Sequence, residues 1–352
     1  MGRLTEIECS DAVKVANQLV SSGKFPLKSK WLITGGSGFL GSQILNALNE
    51  VRNLGLDIEI LSIDSAIRGK NRDWYFRENS VMNFDVTKPW PKLEPFSHIL
   101  HLASIASPVY YRKYPLETLD SNYSGTLNAL EHAKMWGSKI LLMSSSEIYG
   151  DPAAHAIPTR EDYRGNVSSI GPRACYDEGK RVMETLGWIY SEHSAVNVAI
   201  ARPFNFYGPG MRLDDGRVLP DFFKAIQEKL DLTIHSDGTP KRSFCYVSDA
   251  IQALLHFVIL IDGFEVLNIG NPSEEISISD LASVVAEQAV KFGWDGRIKQ
   301  VNSTEENYLV NNPSRRVPDI SRIQDYLGWT PKTNLQDGIQ RSLQHFDEFE
   351  NL

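Results

Sequence analysis

Short apolar runs alternate with helix-length segments from Trp31 to Arg202. The runs predict six strands, at Trp31–Thr34, Ile58–Ile63, Ser80–Phe84, His98–Leu102, Lys139–Ser144 and Asn197–Arg202. Apolar positions at helical spacing follow most of them and predict helices at 39–54, 115–136 and 174–193. Strands that alternate with helices pair in parallel through right-handed crossovers. The pattern therefore predicts an α/β fold with a doubly wound parallel sheet.

After Pro203 the pattern becomes irregular and rich in Gly, Pro and Asp, with helices predicted near 218–230, 248–261, 277–292 and 319–327. We therefore divide the chain into an N-terminal extension (1–29), a sheet domain (30–203) and a smaller C-terminal lobe (204–352). Some segments of the lobe are expected to return to the sheet domain. In the extension, Ser10 and Asp11 are predicted to cap a helix from Ala12 to Val20 that ends at Gly23. We expect this helix to pack on the surface or on a partner and to take no part in chemistry.

A glycine-rich loop follows the first predicted strand and opens the first predicted helix. Gly35, Gly38 and Gly41, with Phe39 and Leu40 between the last two, form G-x-x-G-x-x-G, a variant of the Rossmann pattern. Such glycines permit a tight turn, a close approach of a pyrophosphate to the backbone, and packing of helix on strand. The phosphates would meet the positive N-terminus of the helix. The loop predicts a dinucleotide site in a Rossmann-type domain.

Two acidic positions refine the prediction of the dinucleotide. Asp64 ends the second strand, 23 residues after Gly41. Its carboxylate can accept both ribose hydroxyls and would repel a 2′-phosphate, which favours NAD over NADP. Arg68, four residues further on, weakens this preference. Asp85 and Val86, after the third strand, suit the adenine edge.

Tyr176 and Lys180 form a Tyr-x-x-x-Lys pair on a predicted helix, which places both side chains on one face. A cation beside a phenol stabilises the phenolate and is expected to lower its pKa, so that the tyrosine can act as a general base on a sugar hydroxyl. Ser145 and Glu147 follow the fifth strand, at the sheet edge where open α/β sheets bind ligands. The Ser145 hydroxyl would share the same substrate oxygen.

Composition and charge narrow the function class. The chain is 42% apolar and 23% charged, as in ordinary globular proteins, and carries 36 basic against 44 acidic residues, a net charge of −8. We therefore expect neither nucleic acid nor a membrane as a partner. Cys9, Cys175 and Cys245 are far apart, and no signal peptide precedes them. This pattern favours a reducing, cytoplasmic location. No two of the eight histidines stand at ligand spacing with a third donor, so no metal is expected.

Several motifs together resemble the extended short-chain dehydrogenase/reductase family of nucleotide-sugar enzymes, and within it the UDP-glucuronate decarboxylases. The resemblance covers about residues 30–347, and the block from Gly171 to Arg181, GPRACYDEGKR, is its most specific part. Other matching motifs are SSEIYGDP from Ser145, HLAS from His101, RPFN from Arg202, YGP from Tyr207 and RSF from Arg242. Residues 1–29 have no counterpart in the family.

The resemblance implies roles for individual residues. The implied catalytic residues are Ser145, Glu147, Tyr176, Lys180 and Arg316. Leu102 and Ala103, with Tyr176 and Lys180, would contact the NAD cofactor. The nucleotide-sugar substrate would be held by Ser107, Asn205, Val218, Arg242 and Arg316. The helices at 115–136 and 174–193 would pair with a second copy to form a homodimer, through Leu119, Leu127, Leu130, Val182, Leu186 and Ile189.

The implied reaction is a decarboxylation of UDP-glucuronate to UDP-xylose. Oxidation at C4 of the sugar would make the C6 carboxylate part of a β-keto acid, which loses carbon dioxide readily, and re-reduction at C4 would regenerate NAD. A nucleotide-sugar 4,6-dehydratase and a 4-epimerase are the alternatives within the family. The dehydratases place an Asp where this chain has Ser146, and an epimerase has little use for Glu147. A binding or scaffolding protein without activity is the alternative outside it.

Overall fold

The computed structural model describes residues 4–67, 81–301 and 313–350. Within them a seven-stranded, fully parallel sheet forms the centre of the molecule. Its strands are β1 (Lys28–Thr34), β2 (Asp57–Asp64), β3 (Val81–Asn83), β4 (His98–His101), β5 (Lys139–Met143), β6 (Asn197–Pro203) and β7 (Phe264–Ile269). Their order in the sheet is β3-β2-β1-β4-β5-β6-β7. The chain direction across the sheet reverses between β1 and β4, which is where doubly wound folds bind dinucleotides.

Helices cover both faces of this sheet and build the C-terminal lobe. They are α1 (Glu6–Ser21), α2 (Phe39–Asn53), α3 (Pro108–Lys113), α4 (Pro115–Asp120), α5 (Thr126–Trp136), α6 (Ala174–Ser194), α7 (Val218–Gln227), α8 (Val247–Leu260), α9 (Ile278–Ala289), α10 (Ser321–Leu327) and α11 (Leu335–Glu350). Small two- and three-stranded sheets within 206–316 complete the lobe. No helix in the described ranges is long and apolar enough to cross a membrane.

The fold class and the six predicted strands are confirmed, with ends that shift by one to three residues where they are described. The predicted helix at 115–136 is two helices, α4 and α5, joined by a π-helical turn at Ser121–Gly125. The helices α3 and α11, the strand β7 and the short strands of the lobe were not predicted. In β7, polar Glu265 and Asn268 interrupt the apolar run, so the segment reads as irregular although it pairs with β6 along its whole length.

The predicted cap of the N-terminal helix is wrong. The helix begins six residues earlier, at Glu6, because Thr5 and Glu8 form a capping box in which each side chain binds the other residue's backbone N–H. Asp11 instead lies inside the helix and is buried, and its carboxylate accepts hydrogen bonds from Tyr246 (2.7 Å) and Arg341 (2.7 Å). The apolar face of α1 joins the core below α2 and α8. The extension therefore packs on its own chain.

Three apolar cores hold these layers together. Leu45, Leu48 and Leu254, from α2 and α8, fill one face of the sheet. Leu130 and Met183, from α5 and α6, fill the other. A third core lies inside the C-terminal lobe, between α7, α9 and α11. Because α8 and β7 belong to the sheet although they follow residue 204 in sequence, the lobe and the sheet are linked by several chain crossings, and a cleft between them opens at the carboxyl ends of the strands.

Candidate active site

A single cavity of about 1140 Å³ lies in the cleft between the carboxyl ends of the strands and the C-terminal lobe. All but one of the site residues predicted from the sequence line it. The exception is Ser107, which is fully buried behind the cavity wall and donates a hydrogen bond to the Asp215 carbonyl (2.8 Å). Ser107 therefore supports the wall through a hydroxyl turned toward the loop that follows Met211, and its role as a substrate contact stays a prediction.

The glycine loop forms one end of the cavity, between β1 and α2. Gly35 has φ +75°, and a Cβ there would stand 2.9 Å from the Ala103 nitrogen. A Cβ at Gly41 would stand 2.3 Å from the Gly35 carbonyl oxygen. Only glycine fits at these two positions, because the loop folds back on itself and against the end of β4. The result is a shallow backbone cradle at the N-terminus of α2, a geometry that accepts a pyrophosphate.

Acidic and apolar residues surround the cradle. Asp64, at the end of β2, accepts hydrogen bonds from the backbone N–H groups of Ser37 (3.0 Å) and Ala66 (2.8 Å), which fix its carboxylate beside the glycine loop. The remaining predicted cofactor residues line the same end of the cavity: Phe39, Leu40, Asp85, Val86, Leu102 and Ala103. Arg68 lies outside the described residues.

Ser145, Tyr176 and Lys180 meet at the middle of the cavity, where β5 ends against α6. Ser145 and Tyr176 share a side-chain hydrogen bond. The Lys180 ammonium lies 5.6 Å from the centre of the Tyr176 ring and donates a hydrogen bond to the Met143 carbonyl (2.7 Å). The Tyr111 ring stacks on that of Tyr176 at 5.3 Å. Tyr176 and Lys180, the pair predicted from the sequence, therefore lie on one face of α6, and Ser145 lies opposite them.

The pKa of Tyr176 differs from the expectation. Burial raises it well above the usual value, and the hydrogen bond with Ser145 offsets this only in part. Burial also lowers the pKa of Lys180 to about 7, against the opposing charge of Glu184. The expected lowering of the phenol pKa by Lys180 is thus not seen here, because desolvation of the phenolate dominates and the ammonium is directed to a backbone carbonyl.

The Glu147 carboxylate lies next to Ser145, Tyr176 and Lys180 and is bound by the side chains of two arginines. Arg316 donates from both of its terminal nitrogens to the two carboxylate oxygens, one of these bonds measuring 2.8 Å, and Arg173 donates to the second oxygen. Burial alone would raise the pKa of Glu147, but the two guanidinium groups lower it to about 2. Glu147 is therefore a carboxylate at neutral pH, and two cations face one anion.

Arg173 and Asp177 extend this cluster of charges, and the sequence reasoning missed both residues. The Arg173 side chain lines the cavity, and its Nε lies 3.6 Å from the Asp177 carboxylate one helical turn further on. Burial, and then the charge of Glu147, raise the pKa of Asp177 to about 7. Both residues lie in the block from Gly171 to Arg181, the most specific part of the family resemblance, so the sequence did point to them. They were passed over because charged residues at positions i and i+4 of a helix usually indicate an exposed ion pair.

The far end of the cavity carries the residues predicted to hold the substrate. Asn205 and Arg242 line it together with Val218 and Arg316. The Asn205 amide donates to the Ser243 carbonyl (2.8 Å), and Arg242 donates to the Pro313 carbonyl (2.6 Å). Burial and the neighbouring charge of Arg316 lower the pKa of Arg242 to about 10. This end of the cavity is therefore rich in positive charge and suited to phosphate or carboxylate groups.

A dinucleotide cradle and a Tyr-Lys pair in one cavity are features of a known family. A sequence profile of the NAD dependent epimerase/dehydratase family matches residues 31–270. The chain belongs to this family. Its curated relatives include UDP-glucuronic acid decarboxylase 6 of Arabidopsis thaliana, 39% identical over 327 residues that cover 91% of this chain and 90% of the relative. UDP-glucuronic acid decarboxylase 1 of Xenopus tropicalis is 38% identical and covers 91% of this chain, which matches 72% of that relative.

Solved structures of the family confirm the fold. UDP-glucose 4-epimerase of Thermotoga maritima superposes with a TM-score of 0.77 at 21% identity and covers 91% of this chain and 99% of its own. DesIV of Streptomyces venezuelae, a dTDP-glucose 4,6-dehydratase with NAD bound, has a TM-score of 0.78 at 19% identity and covers 91% of this chain and 97% of its own. At such identities the likeness establishes the shared architecture of sheet and lobe.

Proposed function

We propose that this chain is an NAD-dependent decarboxylase that converts UDP-glucuronate to UDP-xylose and carbon dioxide. The observation that carries the proposal is the Glu147 carboxylate between Arg316 and Arg173, beside Ser145 and Tyr176. Two guanidinium groups face the Glu147 carboxylate, and the charge of Arg242 acts on the same cluster. Such a site favours a sugar that carries its own carboxylate. The curated relatives' names support the same assignment.

The glycine cradle and Asp64 fit the adenosine diphosphate half of NAD. Gly35 and Gly41 keep the backbone N–H groups at the α2 N-terminus accessible to a pyrophosphate. The Asp64 carboxylate stands where ribose hydroxyls would donate to it. When bound there, NAD would accept a hydride from C4 of the sugar and return it after carbon dioxide has left.

The chain's own residues handle the protons of this reaction. Tyr176 takes the proton of the C4 hydroxyl, and the Ser145 hydroxyl donates a hydrogen bond to the same oxygen. Because burial raises the pKa of Tyr176, a cation near the phenol is needed to make it a base, and Lys180 is the residue of α6 that supplies it. With the C4 carbonyl formed, the C5–C6 bond breaks and its electrons pass to the C4 oxygen. C5 then gains the one proton that the overall reaction takes up from solvent, and Tyr176 returns its proton to the C4 oxygen as C4 is reduced again.

Ser146 favours decarboxylation over dehydration. The residue is buried and neutral at the position where the dehydratases carry an Asp to protonate a departing hydroxyl. The deciding experiment is incubation with UDP-glucuronate, followed by mass spectrometry of the nucleotide sugar and measurement of carbon dioxide. We expect UDP-xylose, carbon dioxide and no net NADH. Dehydration of UDP-glucose or dTDP-glucose, with UDP-glucuronate untouched, would overturn the proposal.

The exposed apolar side chains of α4 and α6 support a homodimer. Leu116 and Trp188 are 78% and 48% exposed, and Leu119 and Ile189 are exposed beside them. Leu130, predicted to share this face, is instead buried in the core of its own chain, because α5 turns it toward the sheet. A monomeric mass by light scattering at micromolar concentration would contradict the dimer.

The three cysteines are unpaired, which fits the proposed cytoplasmic location.

A further inference from the structure

A buried ion pair lies directly beneath the catalytic lysine. Glu184 follows Lys180 by one turn of α6, and its carboxylate accepts two hydrogen bonds from the Arg202 guanidinium, at 2.9 and 2.6 Å. The same carboxylate accepts a hydrogen bond from the Ser144 hydroxyl at 2.5 Å. Ser144 immediately precedes Ser145, so Glu184 connects the catalytic helix to the end of β5. The proposed chemistry does not use any of these three residues.

We propose that Glu184 is a positioning residue that keeps the Lys180 ammonium charged and fixes it against the end of β5. The inference rests on the role of Lys180 in the proposed function. Two contacts join α6 to the end of β5. Lys180 donates a hydrogen bond to the carbonyl of Met143, the last residue of β5, and Glu184 accepts one from the hydroxyl of Ser144, the residue that follows. The end of the strand is therefore held at two consecutive residues by two side chains one helical turn apart.

The charges around Lys180 give Glu184 a specific electrostatic role. His101 faces the lysine from β4, and burial, together with the charge of Lys180, lowers the pKa of His101 to about 3, so His101 is neutral. Tyr176 faces it from α6 itself, and Arg202 approaches from β6 behind Glu184. Burial lowers the pKa of Lys180 to about 7, and the Glu184 charge is the influence that raises it. Without that charge the ammonium would be lost at a lower pH.

A purely structural role for Glu184 predicts a different outcome. The Arg202 guanidinium also binds the Tyr149 hydroxyl (2.7 Å), whose own proton goes to Asn268 (2.7 Å), so the ion pair helps to join β6, β7 and the segment after β5. If this were its whole role, removing the Glu184 charge would lower stability and leave the protonation of Lys180 unchanged. The pKa of Lys180 separates the two possibilities.

The test is a titration of Lys180 itself by carbon-13 NMR of protein labelled at lysine Cε. The Lys180 resonance is assigned by its absence in Lys180→Ala. In Glu184→Gln we expect the pKa of Lys180 to fall by about one unit or more, roughly a tenfold loss of proton affinity. Glu184→Asp keeps the charge and is expected to restore most of the wild-type value. Glu178→Gln, on the same helix and paired with Arg181 at the surface, is the matched control and should leave the pKa unchanged.

A pH profile of turnover gives a second readout. Turnover that needs the Lys180 ammonium falls as pH rises through the pKa of that group, so the alkaline limb of kcat should move to lower pH in Glu184→Gln and stay in place in Glu178→Gln. If Glu184→Gln does not fold, the double variant Glu184→Gln/Arg202→Gln also removes the neighbouring cation, so the pKa of Lys180 should fall in the same direction by a smaller amount. An unchanged pKa of Lys180 in a folded variant overturns the inference. The NMR titration needs no substrate, so its result is independent of whether UDP-glucuronate is turned over.

Discussion

The two ends of the cavity are built in different ways. At the cofactor end, recognition comes from the backbone: two glycines that tolerate no Cβ, the N-terminus of α2, and one carboxylate at the end of β2. At the reaction end it comes from side chains buried with their charges, including Glu147, Arg316 and Lys180. A backbone cradle has a fixed shape that the chain itself sets. A cluster of buried charges has pKa values that depend on every neighbour, so it can be tuned for chemistry but is easily disturbed.

Tyr176→Phe tests the reaction end with the largest expected effect. The variant removes the phenol that accepts the C4 proton and keeps the ring that stacks on Tyr111. We expect turnover to fall by about 10²–10⁴-fold, as for loss of a general base. The measurement is the rate of UDP-xylose formation from UDP-glucuronate.

The cofactor end supplies the control for this variant. Calorimetry should show NAD binding to Tyr176→Phe within a few-fold of wild type, since the glycine loop and Asp64 are untouched. Turnover close to wild type would remove Tyr176 from the mechanism. Loss of NAD binding would mean that the two ends are not separable in the way their construction indicates.

Gly41→Ala tests the cofactor end. The added Cβ would meet the Gly35 carbonyl oxygen at 2.3 Å and the Gly36 Cα at 2.5 Å, so the backbone of the loop must move. Overpacking of this kind costs about 1–3 kcal/mol, and we expect NAD affinity to fall by roughly 10–100-fold. Gly38→Ala is the matched variant for stability of the unbound protein: its Cβ has the Gly35 oxygen at 3.2 Å as its one close neighbour, so it should lower the melting temperature less than Gly41→Ala does. Equal losses of melting temperature in the two variants would contradict the steric account.

The contrast between the two ends also explains what the sequence could predict. The cofactor end lies in one contiguous loop with a strand before it and a helix after it, and all its predicted residues line the cavity. At the reaction end, Glu147 is bound by Arg173 and by Arg316, and Arg316 is 169 residues away from Glu147 in the sequence. No local spacing can predict such a contact. The family resemblance supplied Arg316. Neither spacing nor resemblance supplied Arg173.

Misplaced elements have the same physical origin. The extension was assigned the wrong cap because Ser10 and Asp11 look like cap residues, whereas Asp11 is buried by tertiary contacts with Tyr246 and Arg341. The strand β7 was missed because its apolar positions become regular only when paired with β6. Local propensity identifies an element, but burial against distant residues decides where it starts and which side chains it hides.

Ser146→Asp sharpens the contrast by adding a charge to the reaction end. Ser146 is 4% exposed and adjacent to Glu147, so a second carboxylate there would stand next to the site proposed for the anionic C6 group. We expect decarboxylation of UDP-glucuronate to fall by roughly tenfold, chiefly through a higher KM. Ser146→Asn, similar in size and neutral, should lose less. Equal activity of the Asp and Asn variants would show that charge at this position does not govern the choice of substrate.

Asp64→Asn makes the corresponding change in charge at the cofactor end. The amide keeps the shape of the side chain and removes the charge that would repel a 2′-phosphate. We expect wild type to bind NAD far better than NADP, and the variant to narrow that preference by roughly tenfold. Calorimetry with both dinucleotides measures the ratio, and the KM for the nucleotide sugar should stay constant. A wild type that binds both equally would overturn the role given to Asp64.

The smallest expected effect is a change in the stability of the fold with pH, and it arises from Asp177 at the reaction end of the cavity. Burial and Glu147 raise the pKa of Asp177 to about 7, above the value of about 4 for an unfolded aspartate. Between these values the folded chain holds a proton that the unfolded chain has lost, so the contribution of Asp177 to stability falls as pH rises from about 4 to about 7.

Asp177→Asn removes this titration. The difference in melting temperature between the variant and wild type should therefore shift in favour of the variant as pH rises from 5 to 8, by a few degrees for about 1 kcal/mol. Thermal melts of both proteins are recorded at each pH, and the melting temperature of wild type is subtracted from that of the variant. Groups that titrate identically in the two proteins then contribute nothing to the difference. The matched substitution at the cofactor end, Asp64→Asn, serves as the reference. A difference for Asp177→Asn that is constant with pH would show that the buried cluster holds Asp177 ionised.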